Sequence, residues 1–235
     1  MILSRSLKSL TATFVGATRL APRLLALARD RRAVAYIEFA YSLPMFLTLM
    51  LGGAEISNYI TTKMRLSQLA LHLADHASRI GSGTQLAAKT ITETQINDVL
   101  TGAGFESGGL SIYSKGRVII SSLEPVASPN TTSRYKIGWQ RCRGIKNVTS
   151  TYGNSGDTNM TGMGPAGRQV IAPDDGGTMF VELYFEYKPL IANSWAPTLT
   201  FREIASMPIR DRRDMTQIYN SENATQHLCS QFTTT

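Results

Sequence analysis

The sequence predicts an α+β protein in which an N-terminal transmembrane helix continues into a domain with a long helix packed on an antiparallel sheet. Residues 33–54 form an apolar run, and apolar residues at helical spacing follow it as far as residue 80. Beyond residue 110, apolar residues recur with a period of two, which is typical of strands. These changes predict three regions: a basic leader over residues 1–33, a transmembrane helix over residues 34–54 and an α+β domain over residues 55–235.

Most of the net charge belongs to the leader. The 235 residues carry a formal net charge of +7, which taken alone would favour nucleic-acid binding. Residues 1–33 hold seven basic residues and one acidic residue, whereas the rest of the chain holds 17 basic and 16 acidic residues. The leader therefore predicts a cytoplasmic N-terminus by the positive-inside rule, and the nearly neutral remainder argues against a nucleic-acid partner.

Residues 34–54 are predicted to cross a membrane once. The 22 residues of the apolar run 33–54 would span about 33 Å as a helix, enough for a hydrocarbon core of about 30 Å. Pro44 lies within the run and is expected to kink the helix, because it removes a backbone donor. No later run approaches this length, so the sequence predicts a single-pass protein with its C-terminal domain on the far side of the membrane.

Glu38 is the only charged residue in the run. A carboxylate near the centre of a bilayer costs at least about 2.5 kcal/mol, and such residues usually have a function. One alternative is that Glu38 lies one turn inside the boundary and reaches the headgroups. Two others concern the whole segment, which would be an uncleaved anchor or a secretory peptide that is cut after Ala54.

The residues around Glu38 resemble the N-terminus of a known family. A basic pair, small residues, Glu38-Phe39 and an apolar run interrupted by Leu43-Pro44 are similar to the TadE/TadF-like minor pilins, or pseudopilins, of the bacterial tight-adherence (Flp-type) pilus system. The resemblance covers about residues 31–57. It implies a periplasmic pilin-like α+β domain anchored in the inner membrane.

The resemblance also implies processing and assembly. A prepilin peptidase would cut between Ala33 and Val34, which makes Glu38 the fifth residue of the mature chain; the family usually has Gly where this chain has Ala33. In a packed assembly, pairing of Glu38 with the new amine of Val34 would offset the desolvation of both charges and set the register between subunits. The implied partners are the prepilin peptidase, other minor pilins and the pilus assembly platform.

The residues after the membrane segment predict two helices. Apolar residues on one face continue the first helix to residue 80, where Gly81 ends it. A second helix is expected to begin near Thr92, because Thr92 and Gln95 form a capping box, and to end at Gly102–Gly104.

Four strands are predicted next, and the first helix is expected to cover their apolar face. Residues 110–113 and 118–120 flank Lys115-Gly116 and predict a hairpin. Alternation over residues 135–140 places Tyr135, Ile137 and Trp139 on one face, and residues 179–187 form the last predicted strand. Residues 144–178 contain eight glycines and predict one long loop that serves as a contact surface or is partly disordered.

Cys142 and Cys229 are predicted to form a disulfide, because both lie in the region assigned to an oxidising compartment. Two free buried thiols are the alternative.

Three other motifs are interpreted without a catalytic or cofactor role. Gly162–Gly167 matches the dinucleotide-binding pattern of glycines, but no strand precedes it. His72 and His76 are one helical turn apart, as in zinc sites, but no third ligand can be identified, so they are interpreted as surface or packing residues. The mixed charges of residues 210–214 predict a solvated, self-paired surface, with docking of a partner subunit as the alternative.

The sequence therefore predicts a non-enzymatic minor pilin-like subunit, with no cofactor, no metal and no small-molecule substrate. An uncleaved single-pass receptor with a periplasmic ligand-binding domain is the alternative function. The two differ in the fate of the leader and in their dependence on Glu38.

Overall fold

The computed structural model describes residue 26 and residues 32–84, 86–191 and 198–234. Contacts divide the chain into two compact units, Met1–Ala54 and Glu55–Thr235. Most of the predicted leader, residues 1–33, lies outside the described residues.

Helix α1 is long, as predicted, and comprises Arg32–Arg79, with Pro44 inside it. It ends two residues before Gly81, whose φ of +135° lies in the region that favours glycine. A side chain from the distant C-terminal region also satisfies the helix end. The Arg213 guanidinium donates hydrogen bonds to the backbone oxygens of Ala77, Ser78 and Ile80, at 3.1, 3.2 and 2.7 Å.

Helix α2 comprises Glu93–Ser107, and its predicted start is confirmed. The Thr92 hydroxyl accepts a hydrogen bond from Gln95 N while the Gln95 side chain accepts one from Thr92 N, which completes the capping box. The predicted end at Gly102–Gly104 is wrong, since the helix continues to Ser107. A Cβ atom at Gly104 would lie 3.0 Å from a ring carbon of Tyr113, so this glycine serves packing inside the helix.

The predicted hairpin over residues 110–120 is wrong. Residues Gly108–Leu110 form a 3₁₀ turn, and Ile112–Lys115 form the short helix α3. Ser111 between them has a φ of +53°, a left-handed conformation that a continuous strand does not contain. The adjacent Ile112 and Tyr113 are both buried, so the segment lacks the alternation of a strand with one solvent face.

The described residues contain an antiparallel sheet of four strands in the order β2-β1-β3-β4, which confirms the predicted α+β class. The strands are β1 (Gly116–Pro125), β2 (Tyr135–Arg143), β3 (Thr178–Tyr187) and β4 (Leu199–Pro208).

Strand β4 is absent from the sequence prediction. Only Phe201 in it is buried, because β4 pairs with β3 alone within the described residues. Glu203 interrupts the apolar set on one face and Ile204 is exposed on the other, so the alternation that identifies a half-buried strand is weak.

The main core lies between the two helices and one face of the sheet. The C-terminal part of α1 buries residues at three- and four-residue spacing against the strands, which confirms that this helix covers the sheet. These helix residues are Leu66, Leu69, Ala70, Leu73, Ala74 and Ala77.

The second face of the sheet is also covered, by the described residues 144–177, which contain no regular strand or helix. Tyr152 packs edge-on against Phe180, with 5.6 Å between ring centroids. The buried Glu182 carboxylate accepts hydrogen bonds from the Ser150 hydroxyl and from Thr151 N. The predicted long loop is therefore a packed third layer.

A bulge in β2 changes which residues share a face. Ser122 pairs with Trp139, and the next residue, Leu123, pairs with Ile137, so Gly138 is the extra residue. A Cβ atom at Gly138 would lie 2.2 Å from the Glu124 carboxylate, which explains the glycine. As a result Trp139 joins the main core while Ile137 joins the second cluster, which corrects the prediction that they share a face.

Candidate functional site

The N-terminal part of α1, residues 34–54, is an apolar helical surface without a buried side chain. Its large apolar residues are 36–82% exposed. By length and composition, α1 is the one helix among the described residues that could cross a membrane, with a mean hydropathy of 1.5 over its apolar window.

The predicted processing residues lie in the first turns of α1. Ala33 is helical, and Val34 and Phe39 are 51% and 60% exposed. The Glu38 side chain is exposed and has no hydrogen-bond or ion-pair partner among the described residues. An apolar surface with one unpaired carboxylate is suited to pairing with a cation supplied by another molecule.

Two hydroxyl groups of this surface, those of Ser42 and Thr48, are satisfied within the helix. The Ser42 hydroxyl donates to Phe39 O at 3.1 Å, and the Thr48 hydroxyl donates to Pro44 O at 2.8 Å. Such bonds let hydroxyl groups enter an apolar environment at little cost. Glu38, the only acidic residue of this surface, makes no such bond to the helix among the described residues.

Beyond residue 54, α1 carries a second exposed apolar feature, which we call the outer stripe. Ile56, Ile60 and Met64 are 61%, 50% and 58% exposed and follow one another at four-residue spacing. Residues at this spacing lie one above the other on a helix, so the stripe faces away from the buried side of α1.

Glu55 is the first residue of the second unit, and it accepts hydrogen bonds from the end of β3 and the segment after it. We call this set of hydrogen bonds the Glu55 clamp. The Glu55 carboxylate accepts hydrogen bonds from the Tyr187 hydroxyl at 2.5 Å, Leu190 N at 2.7 Å and Ile191 N at 3.2 Å. Asn58 Nδ2 donates to the same Tyr187 oxygen at 2.7 Å. The Tyr187 hydrogen bond, with help from the two backbone donors, holds the pKa of Glu55 below its ordinary value against an opposing contribution from burial.

The predicted disulfide between Cys142 and Cys229 is present, with 4.7 Å between the Cα atoms. It joins β2 to the C-terminal tail. A second link is the hydrogen bond that Cys142 N in β2 donates to His227 O in the tail, at 2.8 Å. The fully buried Arg117 guanidinium donates to Cys229 O at 2.7 Å and stacks on Phe232 at 4.2 Å. The tail is thus anchored to the sheet by covalent and polar contacts.

The histidine pair faces a carboxylate on α2. Glu106 lies 3.5 Å from His72 Nδ1 and 3.3 Å from His76 Nε2, with each oxygen nearest a different ring. No group of three side chains among the described residues is placed to hold a metal ion. Gly162–Gly167 lies in the packed loop and is not followed by a helix.

The charged run 210–214 contacts other parts of the domain, so the predicted self-pairing is wrong. Arg210 pairs with Asp75 at 2.9 Å and Asp211 pairs with Lys89 at 2.7 Å. Burial lowers the pKa of the inserted Arg213 guanidinium to about 10. Sequence reasoning missed Arg213 and the Glu55 clamp, although an acidic residue directly after an apolar run was a signal for the latter.

The chain was compared with protein-family models, with curated proteins and with solved structures, and none of them matches it.

Proposed function

We propose that the chain is a minor pilin-like (pseudopilin) subunit in the biogenesis of a tight-adherence pilus, anchored by one helix in a bacterial inner membrane. The observation that carries the proposal is Glu38, a carboxylate without a partner in the described part of the chain, on an exposed apolar helix whose continuation packs on a folded domain. In this proposal the N-terminus is cytoplasmic, the α+β domain is periplasmic, and the disulfide suits that oxidising compartment.

The subunit would act by assembly rather than by catalysis. Prepilin peptidase would remove the leader between Ala33 and Val34, and the new amine would pair with Glu38 of a neighbouring subunit. Such a pair fixes register because a shifted neighbour leaves both charges unpaired in the membrane. The outer stripe supports a helix neighbour beyond the membrane as well, since it leaves an apolar face of α1 open to another minor pilin or to the assembly platform.

Processing is tested by N-terminal sequencing of the protein extracted from membranes of cells with active prepilin peptidase. The expected first residue is Val34. A chain that still begins with Met1 would contradict processing and favour the uncleaved receptor.

The register role is tested by Glu38→Gln, which keeps the shape of the side chain and removes its charge. We expect membrane insertion to persist while co-purification with other minor pilins and pilus formation are lost. Ser42→Ala is the matched control, because the Ser42 hydroxyl is satisfied within the helix and its loss should leave assembly intact. Normal assembly of the Glu38→Gln variant would refute the role of Glu38.

A further inference from the structure

An apolar rim lies at the end of the domain where the chain enters it. The rim consists of Leu190, Ile191 and Leu199, which are 64%, 46% and 43% exposed. Leu190 and Ile191 are held by their backbone N–H groups on the Glu55 carboxylate, and Leu199 is paired with Tyr187, whose hydroxyl donates to the same carboxylate. All three rim residues are therefore tied to Glu55 through one or two contacts.

The position of Glu55 in the chain gives these contacts their meaning. Glu55 directly follows the apolar segment 34–54, which in the proposed function spans the membrane. A helix rises only about 1.5 Å per residue, so Glu55 would lie within a few ångströms of the boundary of the hydrocarbon core. Backbone groups that bond its carboxylate must then lie at the level of the lipid headgroups.

We propose that the rim is a lipid-contacting surface that inserts into the headgroup region of the outer leaflet of the bilayer that α1 crosses. Insertion at the acyl boundary would remove these large aliphatic side chains from water, which is favourable. The exposed Lys188, two residues before Leu190, adds a cation that can reach lipid phosphates from the same segment. The inference rests on the proposed membrane span but is independent of assembly into a pilus.

The rim would also give the Glu55 clamp a purpose. The clamp holds the backbone of Leu190 and Ile191 on the first residue of the domain, so the rim cannot move away from the point where the chain leaves the membrane. The rim and Glu55 would then meet the headgroup region together.

The test places an environment-sensitive dye on the full chain in vesicles of phosphatidylethanolamine and phosphatidylglycerol. Leu190→Cys is labelled under non-reducing conditions, in which Cys142 and Cys229 remain in their disulfide. Leu86→Cys is the matched control, because Leu86 is 95% exposed and is not part of the rim. Lipids with a nitroxide on the headgroup quench a dye that lies at the interface.

We expect the dye at position 190 to be blue-shifted and to lose most of its emission to the nitroxide lipids, while the dye at position 86 loses little. Equal, weak quenching at both positions overturns the inference. A blue shift at position 190 without quenching also overturns it, because protein rather than lipid would then cover the rim. Flotation of the same samples separates the two proposals, since a chain that fails to float with the vesicles refutes the membrane span itself.

Discussion

The two parts of helix α1 are both rich in apolar residues, yet they present them differently. In residues 34–54 the apolar side chains surround the helix and stay exposed, whereas in residues 55–79 six of them are buried on one side and the outer stripe stays exposed on another. A helix that is apolar on all sides needs an apolar environment all round, while a one-sided helix needs only one packed face. The distribution of apolar residues around the axis therefore indicates lipid or partner helices for the first part and the sheet for the buried stripe of the second.

The largest expected effect comes from a cavity in the packed part. Leu66→Ala should lower the free energy of unfolding by about 2–5 kcal/mol, because Leu66 is fully buried between α1 and the sheet. Leu49→Ala, in the exposed part, should leave it unchanged. Urea denaturation of the detergent-solubilised full chain, followed by tryptophan fluorescence, to which the buried Trp139 contributes, measures both. Equal losses of unfolding free energy in the two variants would contradict the conclusion that the two parts of α1 differ in packing.

Loss of the disulfide should lower the free energy of unfolding almost as much as Leu66→Ala. Cys142→Ser with Cys229→Ser should lower the free energy of unfolding by about 2–4 kcal/mol, because the bond restricts a loop with a sequence separation of 87 in the unfolded chain. The helicity of residues 34–54 should not change, since neither cysteine lies in that segment. The double variant in the same urea assay provides the measurement. A reducing agent should destabilise the unmodified chain by the same amount and leave the double variant unaffected.

The accuracy of the sequence prediction followed the range of the interactions involved. The capping box at Thr92 and the end of α1 near Gly81 depend on neighbours in sequence, and both were located correctly. The hairpin at residues 110–120 was wrong because the left-handed Ser111 and the burial of α3 against α2 depend on tertiary packing. The bulge at Gly138 was missed for the same reason, since the group that excludes a side chain there is Glu124 of the neighbouring strand.

The candidate site divides in the same way. Glu38 could be singled out from the sequence, because one charge within an apolar run is visible without any structure. The partner of Glu55, Tyr187, is 132 residues away, and the carbonyls bound by Arg213 are more than 130 residues away. No local pattern brings these groups together, so the clamp and the helix cap required the fold.

A smaller effect is expected where the tail caps the packed part of α1. Arg213→Ala should lower the free energy of unfolding by about 1.5–3 kcal/mol, because it leaves the last carbonyls of the helix without their charged donor. Arg212→Ala is the matched control, since the Arg212 side chain is exposed. Thermal denaturation of both variants in detergent measures the difference. If the two variants have the same melting temperature, the hydrogen bonds from Arg213 do not stabilise the end of α1.

The smallest effect concerns the Glu55 clamp, at the first residue of the packed part. The pKa of Glu55 is lowered in the folded chain, so its contribution to stability is fully present above the ordinary glutamate value of about 4.5 and is lost as the pH falls through the lower folded value. Glu55→Gln should therefore reduce the stability measured at pH 7 slightly and flatten its decline below pH 4.5. The pKa values of Asp75, Asp211 and Asp214 are also lowered. Protonation of these carboxylates should therefore still reduce the stability of the variant as the pH falls.

Glu203→Gln is the control for this pH profile, because Glu203 has no part in the clamp. Melting temperatures of both variants and of the unmodified chain between pH 3 and pH 7 give the profiles. A Glu55→Gln profile parallel to that of the unmodified chain would show that the Tyr187 and backbone donors do not favour the ionised carboxylate. A carboxylate accepts hydrogen bonds more strongly than a neutral carboxyl, so backbone donors that bind Glu55 should favour its ionised form. A parallel profile would therefore also argue that Glu55 does not hold Leu190 and Ile191 in place.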